Sequence, residues 1–391
     1  MKKFFLVIIV FAGALHACTK KVNEPISPKT GKPGEVTEVS VANLNGGATI
    51  TYRIPNQAEV ISVKAVYTLS NGKQYEALSS MYENKLTLMG YNDENEHEVL
   101  LYTVNRAQEL SDPVKCTIKP KISPLKLAAA TVHVQEDFGG ARFSWQNELK
   151  SPLAFEMYTP DSLGRMTLVR VINSQVEEGT QALRGYPPVP RVFGLVVKDN
   201  FGNRSDTIFP PNRKLTPLFE ERLPKNAMSI MRLANDQSFT NWEGSDQKII
   251  DDDLTSFGHS ASSSLPAPFT LDLGVTAKVS RFVLFQRKFS DSYYNWGNPR
   301  TFDVYVRATA PSQSGDWSEW TKVMEAEVIK PSGASTSTVT DDDLRAAENG
   351  HEFTFDLSLE PVRYIRIVVR STWGSTTFTH PAEVDVYGER K

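Results

Sequence analysis

The stretch from Phe289 to Arg300 reads Phe-Ser-Asp-Ser-Tyr-Tyr-Asn-Trp-Gly-Asn-Pro-Arg, and its residue types could do chemistry of one kind. Tyr293, Tyr294 and Trp296 stand among Gly, Asn and Pro, so they belong to a loop rather than to a core strand. Loops rarely bury three large aromatics in a row. An aromatic face stacks on the apolar C–H face of a sugar ring, while Asn and Arg donate hydrogen bonds to its hydroxyls. Arg287 and Lys288 enter this loop, and Asn298 and Arg300 leave it. Two more loops offer similar groups: Ser371-Thr372-Trp373-Gly374-Ser375 with His380 just beyond, and His259 after an acidic turn. The candidate ligand contacts are therefore Arg287, Tyr294, Trp296, Asn298, Trp373 and His259. The competing reading of each aromatic is local packing within its own loop.

The acidic turn, Ile250-Asp251-Asp252-Asp253-Leu254-Thr255-Ser256-Phe257, poses a second question. Three consecutive carboxylates repel one another unless a cation or solvent intervenes. Hard oxygen ligands suit Ca²⁺, which takes 6–8 of them; a solvated turn without metal is the alternative. A second acidic run, Asp341-Asp342-Asp343, follows a Ser/Thr-rich stretch and reads as a solvated loop or a helix cap. No Gly-x-Ser-x-Gly elbow, phosphate-binding loop or His-Glu-x-x-His occurs, and the six His are scattered. The expectation is a protein that is not an enzyme, with no catalytic residue to name.

The 391 residues suffice for two or three domains, and 40% hydrophobic with 23% charged residues is ordinary for a folded chain. Lys and Arg number 43 against 46 Asp and Glu, so no basic excess exists to neutralise nucleic-acid phosphates. Two cysteines, Cys18 and Cys116, exclude a disulfide framework and a cysteine zinc site. Strict alternation in Val114-Lys115-Cys116-Thr117-Ile118 places Cys116 on the inner face of a strand, as an unpaired buried thiol.

The chain opens with Met1-Lys2-Lys3 and an apolar run from Phe4 to Ala14, ending in Leu15-His16-Ala17-Cys18. A positive segment followed by an apolar run too short to span a membrane is a targeting signal. Its end resembles the bacterial lipobox, which implies cleavage before Cys18 and lipidation of its sulfur. Loss of Lys2 and Lys3 would take the net charge from −3 to −5. The expected layout begins with a signal peptide at 1–17 and a flexible polar tether at 18–34.

Short alternating strands and turn signals follow. Gly46-Gly47-Ala48-Thr49-Ile50-Thr51-Tyr52 is echoed by Gly139-Gly140-Ala141-Arg142-Phe143-Ser144-Trp145, and Leu100–Ser111 by Val192–Ser205. These pairs resemble the B strand and the F–G hairpin of fibronectin type III or immunoglobulin-like modules. Two such sandwiches are expected, at 35–122 and 123–222, acting as spacers with Pro120–Pro124 and Pro210–Pro224 as stiff connectors. Tyr52 and Trp145 are their core aromatics.

From about Leu223 onward, ordered motifs resemble the discoidin domain, also called the coagulation factor C-type domain. They are Ile250–Phe257, Phe269-Thr270-Leu271-Asp272-Leu273-Gly274, Val279–Phe285, Phe302–Val306 with Trp317-Ser318-Glu319-Trp320, Val362–Val369 and Ala382–Gly388. The resemblance implies a β-sandwich jelly roll over 223–391, with ligands on the loops at one end and Trp317 and Trp320 structural. It also implies a structural calcium held by Asp251, Asp253, Ser256 and Glu383. Asp252 stands where the family has Gly, which changes the demands on that tight turn. The fold class expected overall is all-β.

The plan of anchor, tether, two spacers and a terminal discoidin-like domain resembles the surface glycan-binding lipoproteins of Bacteroidota polysaccharide-utilisation systems. That implies an outer-membrane, lipid-anchored protein binding an oligosaccharide or polysaccharide, beside a transporter and its substrate-capturing lipoprotein. Rival readings are an adhesin for host-cell or matrix protein, and a membrane-docking module. The second wants apolar loop spikes, and Tyr293-Tyr294 is too polar for one.

Overall fold

The computed structural model describes residues 27–288 and 293–391. The expected lipidation site Cys18 and loop residues 289–292 lie outside the described residues. Strands dominate throughout, as the alternating patterns require.

The first module comprises β1 (Thr37–Leu44), β2 (Gly47–Arg53), β3 (Val60–Thr68), β4 (Gln74–Ser80), β5 (Lys85–Met89), β6 (His97–Asn105) and β7 (Val114–Ile118). Sheet β1-β2-β5 faces sheet β4-β3-β6-β7. Period-two patterning builds the core: Ala48, Ile50 and Tyr52 from β2 meet Val63, Ala65 and Tyr67 from β3, with Val99 and Leu101 from β6. Cys116 packs against this core at intermediate burial, and desolvation pushes its thiol pKa up.

The second module begins with α1 (Pro124–Thr131), followed by β8 (His133–Asp137), β9 (Gly140–Gln146), β10 (Leu153–Pro160), β11 (Met166–Ser174), β12 (Glu178–Leu183), β13 (Arg191–Val192), β14 (Gly194–Asp199) and β15 (Lys214–Leu215). Sheets β12-β9-β8 and β11-β10-β14 enclose Trp145, whose ring stacks on Phe155 at 4.0 Å. The repeat extends to single hydrogen bonds. Ser111 Oγ accepts the Thr103 N–H at 3.0 Å and donates to the Asp112 carbonyl at 2.8 Å. Ser205 Oγ accepts from Val197 N at 2.9 Å and donates to Asp206 at 2.8 Å.

Two connecting segments differ from expectation. Pro120–Pro124 runs straight into α1, because Ser123 caps the Lys126 N–H at 3.1 Å and Pro124 occupies the first turn. Leu125 and Ala128 then enter the second core. The expected flexible tether is already docked at Thr30 and Gly31, whose amides donate to Glu109 Oε2 at 3.2 and 2.9 Å. The two modules also touch. Phe201 lies edge-on to Tyr75 at 5.8 Å, and Asn203 Nδ2 donates to the Gly90 carbonyl at 2.8 Å.

The third domain holds β16 (Glu221–Arg222), β17 (Ser229–Met231), β18 (Ala267–Gln286), β19 (Pro299–Arg307), β20 (Thr321–Glu327), α2 (Asp341–Asn349), β21 (His351–Thr354), β22 (Val362–Thr372) and β23 (Pro381–Arg390). The first half of β18 pairs with β22 and its second half with β23, so one long strand serves both layers of a sandwich. Phe269, Leu271, Phe282, Leu284, Phe302, Ile365, Ile367 and Val384 fill the space between them. Arg366 is wholly buried, held by Asp236 and lying 3.9 Å from the centroid of Trp317 and 5.6 Å from that of Trp320. The second acidic run forms the first turn of α2. Thr340 and Asp343 make a reciprocal capping box, and Asp343 is buried with the Ser332 and Thr340 amides on its carboxylate. Those donors hold its pKa well below the usual carboxylate range. The end of β18, the start of β19, the end of β22 and the start of β23 meet at one end of the sandwich, where their loops converge.

Candidate functional site

The converging loops enclose a cleft of about 500 Å³ lined by Trp242, Glu243, Phe257, His259, Ser262, Arg287, Trp296, Phe378 and His380. That volume lies within the range of small-ligand sites. Two of its walls are tryptophans with most of their surface open, Trp242 at 87% and Trp296 at 53% exposed. Both have left-handed backbone, at φ 54° and 47°. A bulky residue held there costs about 1–3 kcal/mol and persists only where its surroundings impose it.

The surroundings are identifiable. Gly244 closes a tight turn by donating to the Asn241 carbonyl at 2.9 Å, and a Cβ there would lie 2.6 Å from the His259 amide nitrogen. That turn thrusts Trp242 outward. Gly374 donates to the Trp296 carbonyl at 2.8 Å, and a Cβ on it would lie 2.5 Å from the Trp296 Cα. The loop carrying Trp296 is thus pressed onto the loop after β22.

The polar groups of the cleft are oriented and mostly neutral. His259 stacks on Phe378 at 4.8 Å and donates Nδ1–H to the Ser260 carbonyl at 2.8 Å. Burial and, to a lesser degree, the Arg287 charge lower its pKa, so at neutral pH Nε2 is a bare acceptor. His380 accepts the Gly297 N–H on Nε2 at 2.9 Å, which places its proton on Nδ1; that atom has no hydrogen-bond partner among the described residues. Burial pushes the His380 pKa down to about 3. The Arg287 guanidinium lies 3.5 Å over the Phe257 ring. Its burial disfavours the charge, partly offset by Glu243. Among the described residues that line the cleft, Glu243 is the one carboxylate. What it offers is aromatic faces with a cationic donor, two acceptors and a hydroxyl between them.

Of the sequence candidates, Arg287, Trp296 and His259 line this cleft. Tyr294, Asn298 and Trp373 do not. Tyr294 is fully buried, its hydroxyl donating to the Asp343 carbonyl at 3.1 Å and its ring edge-on to Trp373 at 5.1 Å. Tyr293 is 7% exposed. Of Tyr293, Tyr294 and Trp296 the first two are therefore buried, Tyr294 between α2 and the loop after β22. Asn298 is fully buried, bonding the Arg287 backbone in both directions. Sequence reasoning missed Trp242, Glu243, Phe257, Ser262 and Phe378. Trp242 carries a similar signal to Trp296, an aromatic directly after Asn with a Gly close behind, but stands alone in its loop.

The expected calcium ligands do not converge. Asp251 accepts the Ser256 hydroxyl at 2.8 Å, and Asp253 accepts the Thr255 amide and hydroxyl at 2.9 and 2.6 Å, each turned into its own loop. Asp252 keeps the turn with left-handed backbone, φ 67°, a conformation Asp tolerates. Its amide donates to Glu383 Oε2 at 3.0 Å, and its carboxylate meets Arg222. The Lys225 ammonium contacts Glu383 directly. Burial pushes the Glu383 pKa up to about 7, against the pull of Lys225 and the Asp252 amide. The four residues as placed do not fit a calcium ion.

Residues 33–120, 119–226 and 234–388 match three family models, DUF4959, DUF5126 and DUF5000, each described as a domain of unknown function. No curated protein matches the chain. Among solved structures, the C-terminal domain of a chitobiase from Bacteroides fragilis is 18% identical, covering 44% of this chain and 99% of that one, with a TM-score of 0.30. A carbohydrate-binding module, CBM32-1, of a family 31 glycoside hydrolase from Clostridium perfringens is 21% identical, covering 41% and 93%, with a TM-score of 0.27. A SusE-like protein is 31% identical over 68% of this chain and 98% of that one, with a TM-score of 0.45. By that sequence identity over nearly the whole of the other protein, the chain belongs to the SusE-like family.

Proposed function

We propose that this chain is a non-catalytic surface lipoprotein that binds glycans in the cleft between Trp242 and Trp296 for a polysaccharide-utilisation system. The observation that carries the reading is the pair of exposed tryptophans held in left-handed backbone that line one cleft. Both residues leave most of their surface open to solvent, and the Trp242 ring lies 6.2 Å from that of His259, itself a lining residue of the cleft. Facing a sugar, its ring removes apolar C–H surface from water at about 25 cal/mol per Å². Arg287 donates to ring or hydroxyl oxygens, while His259 Nε2 and Glu243 accept from hydroxyls. Membership in the SusE-like family supports a role alongside an outer-membrane transporter and its substrate-capturing lipoprotein. Lipidation of Cys18 would tether the chain there, with the two spacer modules carrying the cleft away from the membrane.

A glycan array on the lipid-free protein tests the reading, followed by titration calorimetry with the strongest hit. Binding is expected in the micromolar to millimolar range, about −8 to −4 kcal/mol. Silence across a broad array, together with specific binding of a host-cell or matrix protein, would replace the proposal with an adhesin.

A further inference from the structure

We infer that Lys225 is the built-in cation of the third domain, and that its acidic corner works without a divalent metal. Three carboxylates, Asp252, Glu383 and Asp385, bring an oxygen each to within 4.8 Å of one another. Such a cluster needs positive charge, and the chain supplies it. Lys225 opens the short turn Lys225–Ala227 at the start of the domain, and its side chain is 9% exposed. Its ammonium donates to Glu383 and to the Val384 carbonyl and forms an ion pair with Asp385 Oδ1 at 3.1 Å. Arg222 bridges Asp252 and Asp385 on the open side of the cluster, 2.6 Å from the latter.

Calcium needs six to eight oxygens at about 2.3–2.6 Å, on ligands free to turn toward it. Here the oxygens between the carboxylates already hold N–H groups, and an ion placed among them would displace the ammonium. Two cations from the start of the domain are thereby clamped to its last strand, β23. The corner closes the domain by joining residues about 160 positions apart in sequence. Removing Lys225 leaves Glu383, 1% exposed, as an uncompensated buried acid.

The test uses the whole chain without its signal peptide. Melting curves in excess chelator and in millimolar calcium are expected to coincide, and equilibrium dialysis against radioactive calcium to show no stoichiometric site. Lys225→Met, which keeps the aliphatic stem, is expected to lower the melting midpoint of the third domain on the order of 10 °C. Adding Glu383→Gln to that variant should recover part of the loss, because the neutral amide no longer needs a counter-ion. One calcium bound per chain, or a midpoint that falls in chelator, overturns the inference. So does an unchanged midpoint in Lys225→Met. Should that variant fail to fold, the dialysis result on the unmodified chain decides alone.

Discussion

Asn298 accepts the backbone N–H of Arg287 on Oδ1 at 2.8 Å and donates its own amide to the Arg287 carbonyl at 2.9 Å. This two-way bond joins the end of β18 to the start of β19 and fixes the backbone from which the Arg287 side chain reaches Phe257 and the cleft. Asn298 was expected to touch ligand; it sets the mouth of the loop from beneath. Asn298→Ala should therefore cost about 1–3 kcal/mol of stability, by removing two hydrogen bonds to the part-buried Arg287 backbone. Urea unfolding of the variant measures it, and a variant as stable as the unmodified chain would contradict the assignment.

Tyr294 makes a related prediction. With the hydroxyl donating to Asp343 and the ring against Trp373 and His351, it is a core residue. Tyr294→Phe should lower stability by about 1 kcal/mol and Tyr294→Ala by about 3–5 kcal/mol. Glycan affinity in the Phe variant should be unchanged, read by calorimetry at a temperature where the variant is folded.

Trp242 should behave in the opposite way. Its backbone occupies a region that glycine visits freely, and its ring is 87% exposed. Trp242→Gly should leave stability within about 1 kcal/mol of the unmodified chain, or raise it, while weakening binding. A marked fall in the thermal midpoint would show that the ring packs rather than waits for a ligand.

The buried histidines give a pH dependence with a definite sign. Burial lowers His380 to about 3 and His351 to about 4, from an ordinary 6.5. Below 6.5 the unfolded chain takes up protons that the folded chain refuses until about 3–4, so their contribution to stability falls with pH across that window. Glu383, raised to about 7, acts in the opposite sense between the ordinary 4.5 and 7. The raw profile therefore mixes the two. His380→Gln isolates the histidine: the loss of stability between about pH 6.5 and about pH 5 should be smaller in the variant. An identical loss would show that His380 titrates normally.

The anchor is tested separately. Cys18→Ser should release the protein from the membrane fraction; a variant that stays membrane-bound and is processed at the same position contradicts the lipoprotein reading.

The strands of all three domains are legible in the sequence because burial on one face of a pleated sheet leaves a period of two, as in Ala48, Ile50 and Tyr52. The module repeat is legible for the same reason, down to Ser111 and Ser205, since equal hydrogen bonds require equal residues at equal offsets. The fate of loop side chains is not legible. Whether Tyr294 or Trp296 faces solvent is decided by Asp343, Trp373 and Gly374, all at least 47 positions away. The acidic turn's own residues state its negative charge, whereas Arg222, which pairs with Asp252, lies 30 positions before it. A single Trp242 after Asn241 gives too small a local signal to stand out beside the cluster of Tyr293, Tyr294 and Trp296.

The most direct measurement of the central claim is calorimetric titration of Trp242→Ala and Trp296→Ala with the glycan that the array identifies. Each variant should bind at least tenfold more weakly, about 1.4 kcal/mol, with its melting midpoint nearly unchanged. Undiminished affinity in both variants would place the glycan elsewhere on the chain and contradict the account.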